Sequence, residues 1–312
     1  MTKTQSVSIM VGVMMLCCVP TAWAQQAAAQ QIVNQYWPSS VERDKEGNPD
    51  DHSCLAVMKK SPNGEPSRIA AGYAGGGVLR VLQREKPGQF RVAFEAVVDY
   101  EAIFCEIQLL DIDKDGADDI LIDFAGQADT IWVFRAVGTT FQNITPVDSH
   151  GLTDLINASP MDLDHQGPLE LVTTALTTTT EGDRQFWYEI YRYRRARLRL
   201  DSEAVLVQPV WPTPDGKAKF LENRTFDLIN HKPGMRYVLR IVNGDRTGRK
   251  RARGVTISIN DERLMAAAKL TASIEFLDLP LRGPLKAAEN EIHVVVNGPA
   301  DAEITIVIQA AK

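Results

Sequence analysis

Hydrophobic positions in this chain recur at the period of a β-strand. In the C-terminal third, Tyr237 to Val242 (YVLRIV), Gly254 to Ile259 (GVTISI), Ala272 to Leu277 (ASIEFL), Glu291 to Val296 (EIHVVV) and Glu303 to Ile308 (EITIVI) alternate apolar and polar residues. Asn243 Gly244, Asn260 Asp261 and Asn297 Gly298 punctuate them as turns. Further upstream the runs are denser: RIAAGYAG from Arg68, DILIDFAG from Asp119 and ELVTTALT from Glu170. Each leads through a Gly- or Thr-rich turn to a strand rich in Val, Trp, Tyr or Phe, at Val78 to Gln83, Thr130 to Arg135 and Phe186 to Arg192. Trp187 to Leu200 (WYEIYRYRRARLRL) reads as one long strand, with Trp187, Glu189, Tyr191 and Tyr193 on one face and Tyr188, Ile190 and Arg192 on the other. The pattern predicts an all-β chain.

The turn between Leu110 and Ile120 carries the densest chemistry. Residues 111–119 read DIDKDGADD, placing Asp111, Asp113, Asp115 and Asp119 at positions one, three, five and nine around Gly116 at position six. Oxygen-only ligands in a flexible loop suit Ca²⁺. An EF-hand would need Glu at position twelve and flanking helices; position twelve is Ile122, and Phe104 to Leu110 and Ile120 to Phe124 read as strands. A plain Asx-rich turn remains the alternative. The spacing returns 51 residues later as Asp162, Asp164, Gln166, Gly167 and Glu170 (DLDHQGPLE), and the same offset relates Cys54 to Cys105 and Phe90 to Phe141. Asn63 Gly64 lies near the place of a third turn, which carries no Asp. A repeat of this length with several strands per unit predicts propeller blades or a related stacked β repeat.

On these residues the segments 103–142 and, more weakly, 154–195 resemble the FG-GAP/VCBS family of calcium-loop repeats of integrin-like β-propellers, with Asp123 Phe124 Ala125 Gly126 a loose echo of the name-giving segment. The resemblance implies structural Ca²⁺ on Asp111, Asp113, Asp115 and Asp119 with the carbonyl of Ala117. In the second copy it implies Asp162, Asp164, Gln166 and Glu170 with the carbonyl of Pro168, a weaker or empty site because Gln166 is neutral. The C-terminal layout is similar to Ig-like or carbohydrate-binding-like β-sandwich modules of secreted bacterial proteins.

Targeting, cysteines and charge narrow the setting. Met1 to Ala24, with an apolar stretch from Val7 to Val19 and an Ala22 Trp23 Ala24 ending, has the form of a cleaved secretory signal, which predicts a periplasmic or secreted protein without a transmembrane segment. Cys17 and Cys18 raise lipidation, but Met14 Met15 Leu16 before them lack the expected small residues. Cleavage leaves Cys54 and Cys105, most simply a disulfide in an oxidising compartment. It also removes Lys3 from 34 basic residues, leaving 33 against 40 acidic, a net −7 that speaks against nucleic-acid binding. Expected segments are a signal (1–24), a low-complexity lead (25–50), the repeat region (51–207), a Pro-rich connector (208–219) and a β-sandwich (220–312).

Two basic stretches and the missing catalytic motifs complete the reading. Arg246, Arg249, Lys250, Arg251 and Arg253 crowd one hairpin, which either docks on an anionic glycan, lipid or protein surface or is a solvated loop. The aromatics and arginines of Trp187 to Leu200 leave the same choice between a sugar or anion surface and an outer strand. No HExxH, G-x-S-x-G, P-loop or G-x-G-x-x-G run occurs, and the five histidines lack metal-ligand spacing. His165, at position four of the second loop, is expected to be an outward-pointing turn residue. The expectation is an exported, calcium-stabilised binding or scaffold protein recognising a glycan or protein partner, not an enzyme. Two alternatives stand beside it: a polysaccharide- or cell-wall-active enzyme with a propeller active site, and a subunit of an envelope assembly, which could be a homo-oligomer.

Overall fold

The computed structural model describes residues 20–41, 53–60, 66–98, 102–125, 129–146, 156–178, 184–211, 224–228, 235–265, 270–281 and 285–311. A helix, α1 (Pro20–Gln35), precedes three antiparallel meanders. The first holds β1 (Ser53–Lys60), β2 (Pro66–Tyr73), β3 (Val78–Lys86) and β4 (Gln89–Val97); the second holds β5 (Phe104–Leu110), β6 (Asp119–Ala125), β7 (Asp129–Val137) and β8 (Thr140–Asn143). The third starts with β9 (Ile156–Met161), β10 (Glu170–Thr178), β11 (Arg184–Arg194) and β12 (Arg197–Val210). After it come β13 (Arg224–Phe226), β14 (Tyr237–Asn243), β15 (Gly254–Ile259), β16 (Glu262–Met265), β17 (Phe276–Leu281), β18 (Asn290–Asn297) and β19 (Ile304–Ala310).

Apolar runs on β6 explain why the meanders stack as propeller-like units. Ile120, Ile122 and Phe124 point to one side and pack with Ala70, Leu79 and Val81 of the first meander. Leu121 points to the other side and packs, with Ile131 and Val133, against Leu171, Tyr191 and Leu198 of the third. A sheet buried on both faces needs this continuous apolar run in place of alternation. The outer face of the first meander, with Ile69, Ala71, Tyr73 and Leu82, is covered by Ala29 and Val33 of α1 and by Val41. The Tyr73 hydroxyl donates to the Val33 carbonyl at 3.0 Å. Within the predicted lead, residues 25–35 are therefore a helix capping the repeat stack, which would otherwise end on an exposed apolar sheet face. Most of the predicted signal (residues 1–19) and much of the lead (42–50) lie outside the described residues.

The third meander does not end at β12. Its partner on the far side is β19, followed by β14 and β17, giving one seven-stranded sheet in the order β17-β14-β19-β12-β11-β10-β9. Gln208, Pro209 and Val210, placed by sequence in the connector, are strand residues facing Ile306, Thr305 and Ile304; residues 212–223 lie outside the described set. The C-terminal half of this sheet forms a sandwich with a second sheet, β13-β18-β15-β16. Leu239, Ile241, Ile304, Ile306 and Ile308 face Val255, Ile257, Ile292, Val294 and Val296 across the core.

Two predicted strands are corrected. Trp187 to Leu200 is a hairpin, because Arg195 and Ala196 both take left-handed conformations (φ 52 and 62) and turn the chain between β11 and β12. Ala272 to Leu277 starts too early. Ile274 N–H closes a turn on Thr271 O, and the Asn243 amide binds Thr271 O and Ile274 O, so the strand begins only at Phe276. Cys54 and Cys105 form the expected disulfide across β1 and β5, with Cα atoms 5.6 Å apart. Gly72 lies beneath it, where a Cβ would sit 2.6 Å from Cys54 Sγ and 2.8 Å from Ile122 Cδ1.

Candidate functional site

The first acidic loop, between β5 and β6, is shaped by left-handed turns at Lys114 (φ 61) and Gly116 (φ 84). Gly116 N–H donates to Asp111 Oδ2 (3.1 Å), Asp115 N–H to Asp113 Oδ1 (3.2 Å) and Ala117 N–H to Asp115 Oδ1 (2.9 Å). These bonds gather one oxygen each of Asp111, Asp113 and Asp115 within 4.8 Å of one another. Arg135 reaches in from β7 to Asp113 and, at 3.2 Å, to Asp115. Asp111 Oδ1 is buried without a hydrogen-bond partner. Asp119 is fully buried and has a different task, since its oxygens accept Ile112 N–H at 2.9 Å and Ala136 N–H at 2.7 Å. Burial pushes its carboxyl up to about 6, against the pull of those two N–H groups.

The second loop, between β9 and β10, repeats this frame. Left-handed turns fall at His165 (φ 52) and Gly167 (φ 69), and Glu170, fully buried, accepts Leu163 N–H at 2.8 Å as Asp119 accepts Ile112. Burial pushes Glu170 up to about 7, the Leu163 bond and the Arg192 charge acting the other way. One oxygen each of Asp162, Asp164 and Glu170 lies within 4.8 Å of the others. Arg192 stands where Arg135 does, paired with Asp164 and with Glu170 at 2.9 Å, and Arg246 adds a pair to Asp162 at 2.7 Å. Gln166 is exposed, its N–H closing the turn on Asp164 Oδ1 at 2.7 Å, and Pro168 is half-buried. His165 does not point into solvent. Its Nε2 lies 2.9 Å from Gly244 O and its ring packs 4.8 Å from Phe276, so this loop docks on the C-terminal sandwich. The two arginines went unrecognised in the sequence; their signal was a basic residue at the end of the third strand in both copies.

Most of the basic hairpin is engaged within the chain. Arg246 holds Asp162, Arg249 lies 3.6 Å from Asp245, Lys250 3.8 Å from Glu303, and Arg251 2.5 Å from Glu275. Arg253 is exposed, with its N–H on Asn297 O. This accounts for four of the five cations by ion pairing across turns.

On the face of the seven-stranded sheet away from the sandwich core lies a cleft of about 390 Å³, where the third meander meets the sandwich. Its charged lining is Arg192, Asp201, Arg240 and Asp278 over a floor that includes Val307 and Gln309. Arg240 grips Asp278 with two bonds, Nε–Oδ1 at 2.8 Å and Nη2–Oδ2 at 2.9 Å, and this hydrogen bonding holds the Asp278 carboxyl below its ordinary range. Asp201 sits 2.8 Å from Arg194 and 3.7 Å from Arg192. Among the described residues no helix is long and apolar enough to cross a membrane.

No protein-family model matches the chain, and no curated protein does. Among solved structures it is similar to an exo-β-1,3-galactanase from Phanerochaete chrysosporium (10% identity, TM-score 0.27, covering 83% of this chain and 68% of that one). It is likewise similar to an exo-inulinase from Aspergillus awamori (9%, 0.25, 78% and 64%) and the GH43 protein BlXynB from Bacillus licheniformis (11%, 0.22, 81% and 74%). Alignments this loose transfer no residue roles. They do correct two expectations. The FG-GAP/VCBS resemblance is not kept, since no family model supports it and the neighbours are glycoside hydrolases. The expectation that the chain is not an enzyme is withdrawn on the same finding.

Proposed function

We propose that the chain is a polysaccharide- or cell-wall-active enzyme, exported from the cell, with its site in the cleft at the junction of the third meander and the sandwich. One observation carries the reading: the cleft wall presents two carboxylates, Asp201 and Asp278, each fixed by arginine. Glycoside cleavage takes two carboxyl groups, one to protonate the leaving oxygen and one to act as base or nucleophile. Asp278, kept ionised by Arg240, suits the second role; Asp201, three strands away and held by Arg194 and Arg192, lines the cleft without taking the first. The disulfide is compatible with secretion. The test is release of reducing ends from a panel of polysaccharides. Wild-type protein should release them, and Asp278→Asn should lower the rate at least about 100-fold, the lower range for removing an acid-base group. Absence of release from every substrate, or an Asp278→Asn rate equal to wild type, overturns the proposal.

The acidic loops keep a structural part in this reading. The first would hold a hard cation such as Ca²⁺ through Asp111, Asp113 and Asp115 with the Ala117 carbonyl; the partnerless Asp111 Oδ1 and the three gathered oxygens favour it. There Arg135 pairs with two of the three loop carboxylates, Asp113 and Asp115. In the second loop Arg192 and Arg246 already balance Asp162, Asp164 and Glu170 more fully, so that loop would bind more weakly, although Asp162 Oδ1 is also partnerless. Excess Ca²⁺ should raise the melting midpoint over that in EDTA, by a stabilisation of about 2.7 kcal/mol at a hundredfold excess over the dissociation constant. Asp113→Ala should abolish the difference. Identical midpoints for wild type in Ca²⁺ and EDTA would show that arginine alone balances these loops.

A further inference from the structure

A second cleft, of about 270 Å³, lies beyond the first on the same sheet face. Three successive cross-strand pairs of β14 and β19 connect them: Val238 with Gln309, Arg240 with Val307, and Val242 with Thr305. The first two pairs line the first cleft and the third lines the second, so the two follow one another along the strands at steps of about 7 Å per pair. Leu163 borders one and Asp162 the other, so the second acidic loop stands over the boundary.

The lining of the second cleft is unlike a plain crevice. Trp211, at the end of β12, lies in it with 53% of its surface exposed, beside Met161, Pro160 and Pro209. Facing this apolar wall are the carboxylates of Asp162, Asp245 and Glu303. Each has a cation of the basic hairpin against it: Arg246 on Asp162, Arg249 on Asp245 and Lys250 on Glu303. Asp245 is held further by Thr247 N–H at 3.0 Å and Thr247 Oγ1 at 2.6 Å. The basic hairpin thus orients three acceptors and cancels their charge. A large exposed indole beside charge-balanced acceptors suits a ligand with one apolar face and many hydroxyl donors. An anionic ligand would meet carboxylates, and a cationic one would compete with three cations already in place.

We infer that this cleft is a second subsite of the same track, in which a residue of an uncharged glycan chain stacks on Trp211 while its hydroxyls donate to Asp162 and Glu303. The inference rests on the glycan-active reading above and adds to it a ligand class and a requirement for chain length. Calorimetric titration with neutral galacto-, fructo- and xylo-oligosaccharides, from disaccharide to hexasaccharide, and with an oligogalacturonide, tests both. Wild type should bind a neutral series more tightly as the chain lengthens. Trp211→Ala should remove that gain, about tenfold for the longest member, and Trp211→Phe should keep part of it. A length dependence untouched by Trp211→Ala, or a preference for the oligogalacturonide, overturns the second subsite while leaving the first cleft standing. If wild type binds and cleaves none of the series, the glycan reading itself falls and this inference with it.

Discussion

Replacing Cys54 and Cys105 together by Ala should lower stability in denaturant unfolding by about 4 kcal/mol, the loss expected from opening a loop of this size in the chain-entropy account. The cysteines are 51 residues apart and tie β1 of the first meander to β5 of the second, so the bond restrains two whole units in the unfolded chain. It also lies inside the packing. Gly72 supports both sulfurs from β2, and Ile122 of the second meander fills the remaining side, so there is little slack for the sheets to close over the lost sulfurs. A cavity contribution should therefore add to the entropic one. The check is unfolding with and without a thiol reductant: wild type should lose stability in reductant and the double variant should be indifferent. Equal stability of wild type and variant under oxidising conditions would mean that the sheet packing alone fixes the two meanders.

Much of this architecture is legible in the sequence because it depends on local pattern. Asp111 to Asp119 and Asp162 to Glu170 share spacing and turn glycines, and the structure gives them the same left-handed turns at Lys114 and His165, Gly116 and Gly167. Cys54 and Cys105 sit at equal offsets and meet across neighbouring sheets. What could not be read depends on long-range pairing. The turn at Arg195 Ala196 uses left-handed residues with no Gly or Asn to announce it, so an arginine-rich hairpin looks like one strand. Pro209 looks like a connector, yet β12 carries it into an antiparallel pairing with β19, whose partner residue Thr305 lies almost a hundred positions away. The cleft is invisible for the same reason: Asp201 and Asp278 share it only because β12, β19, β14 and β17 are successive neighbours in one sheet. The basic hairpin shows charge in sequence but not the carboxylates that face it, which come from Asp162, Asp245, Glu275 and Glu303.

Asp119→Ala should cost about as much as the disulfide, although a loop-ligand reading of position nine would tie its effect to calcium. The side chain is fully buried and each oxygen takes one backbone N–H, from Ile112 in the loop and Ala136 on β7. Alanine leaves both donors buried without partners, at about 1–3 kcal/mol each, so a loss of about 4 kcal/mol is expected. Asp119→Asn separates hydrogen bonding from charge. Its carbonyl can still serve one N–H, but its amide meets the other donor to donor, so it should recover only part of the loss. The carboxyl is pushed up to about 6, above the unfolded value of 3.8, so the folded state binds the extra proton. Its ionisation therefore lowers stability as pH rises from about 4 through about 6, and Asp119→Asn should flatten the stability profile across that window. Calcium distinguishes this role from that of its neighbours. The Asp113→Ala defect should shrink in EDTA to the loss of its bonds to Asp115 N–H and Arg135, whereas the Asp119→Ala defect should persist there nearly undiminished, because the bonds it breaks join the loop to β7 whether or not a cation is bound. An Asp119→Ala loss that disappears in EDTA would instead make Asp119 a metal ligand, with its two backbone bonds secondary to the ion.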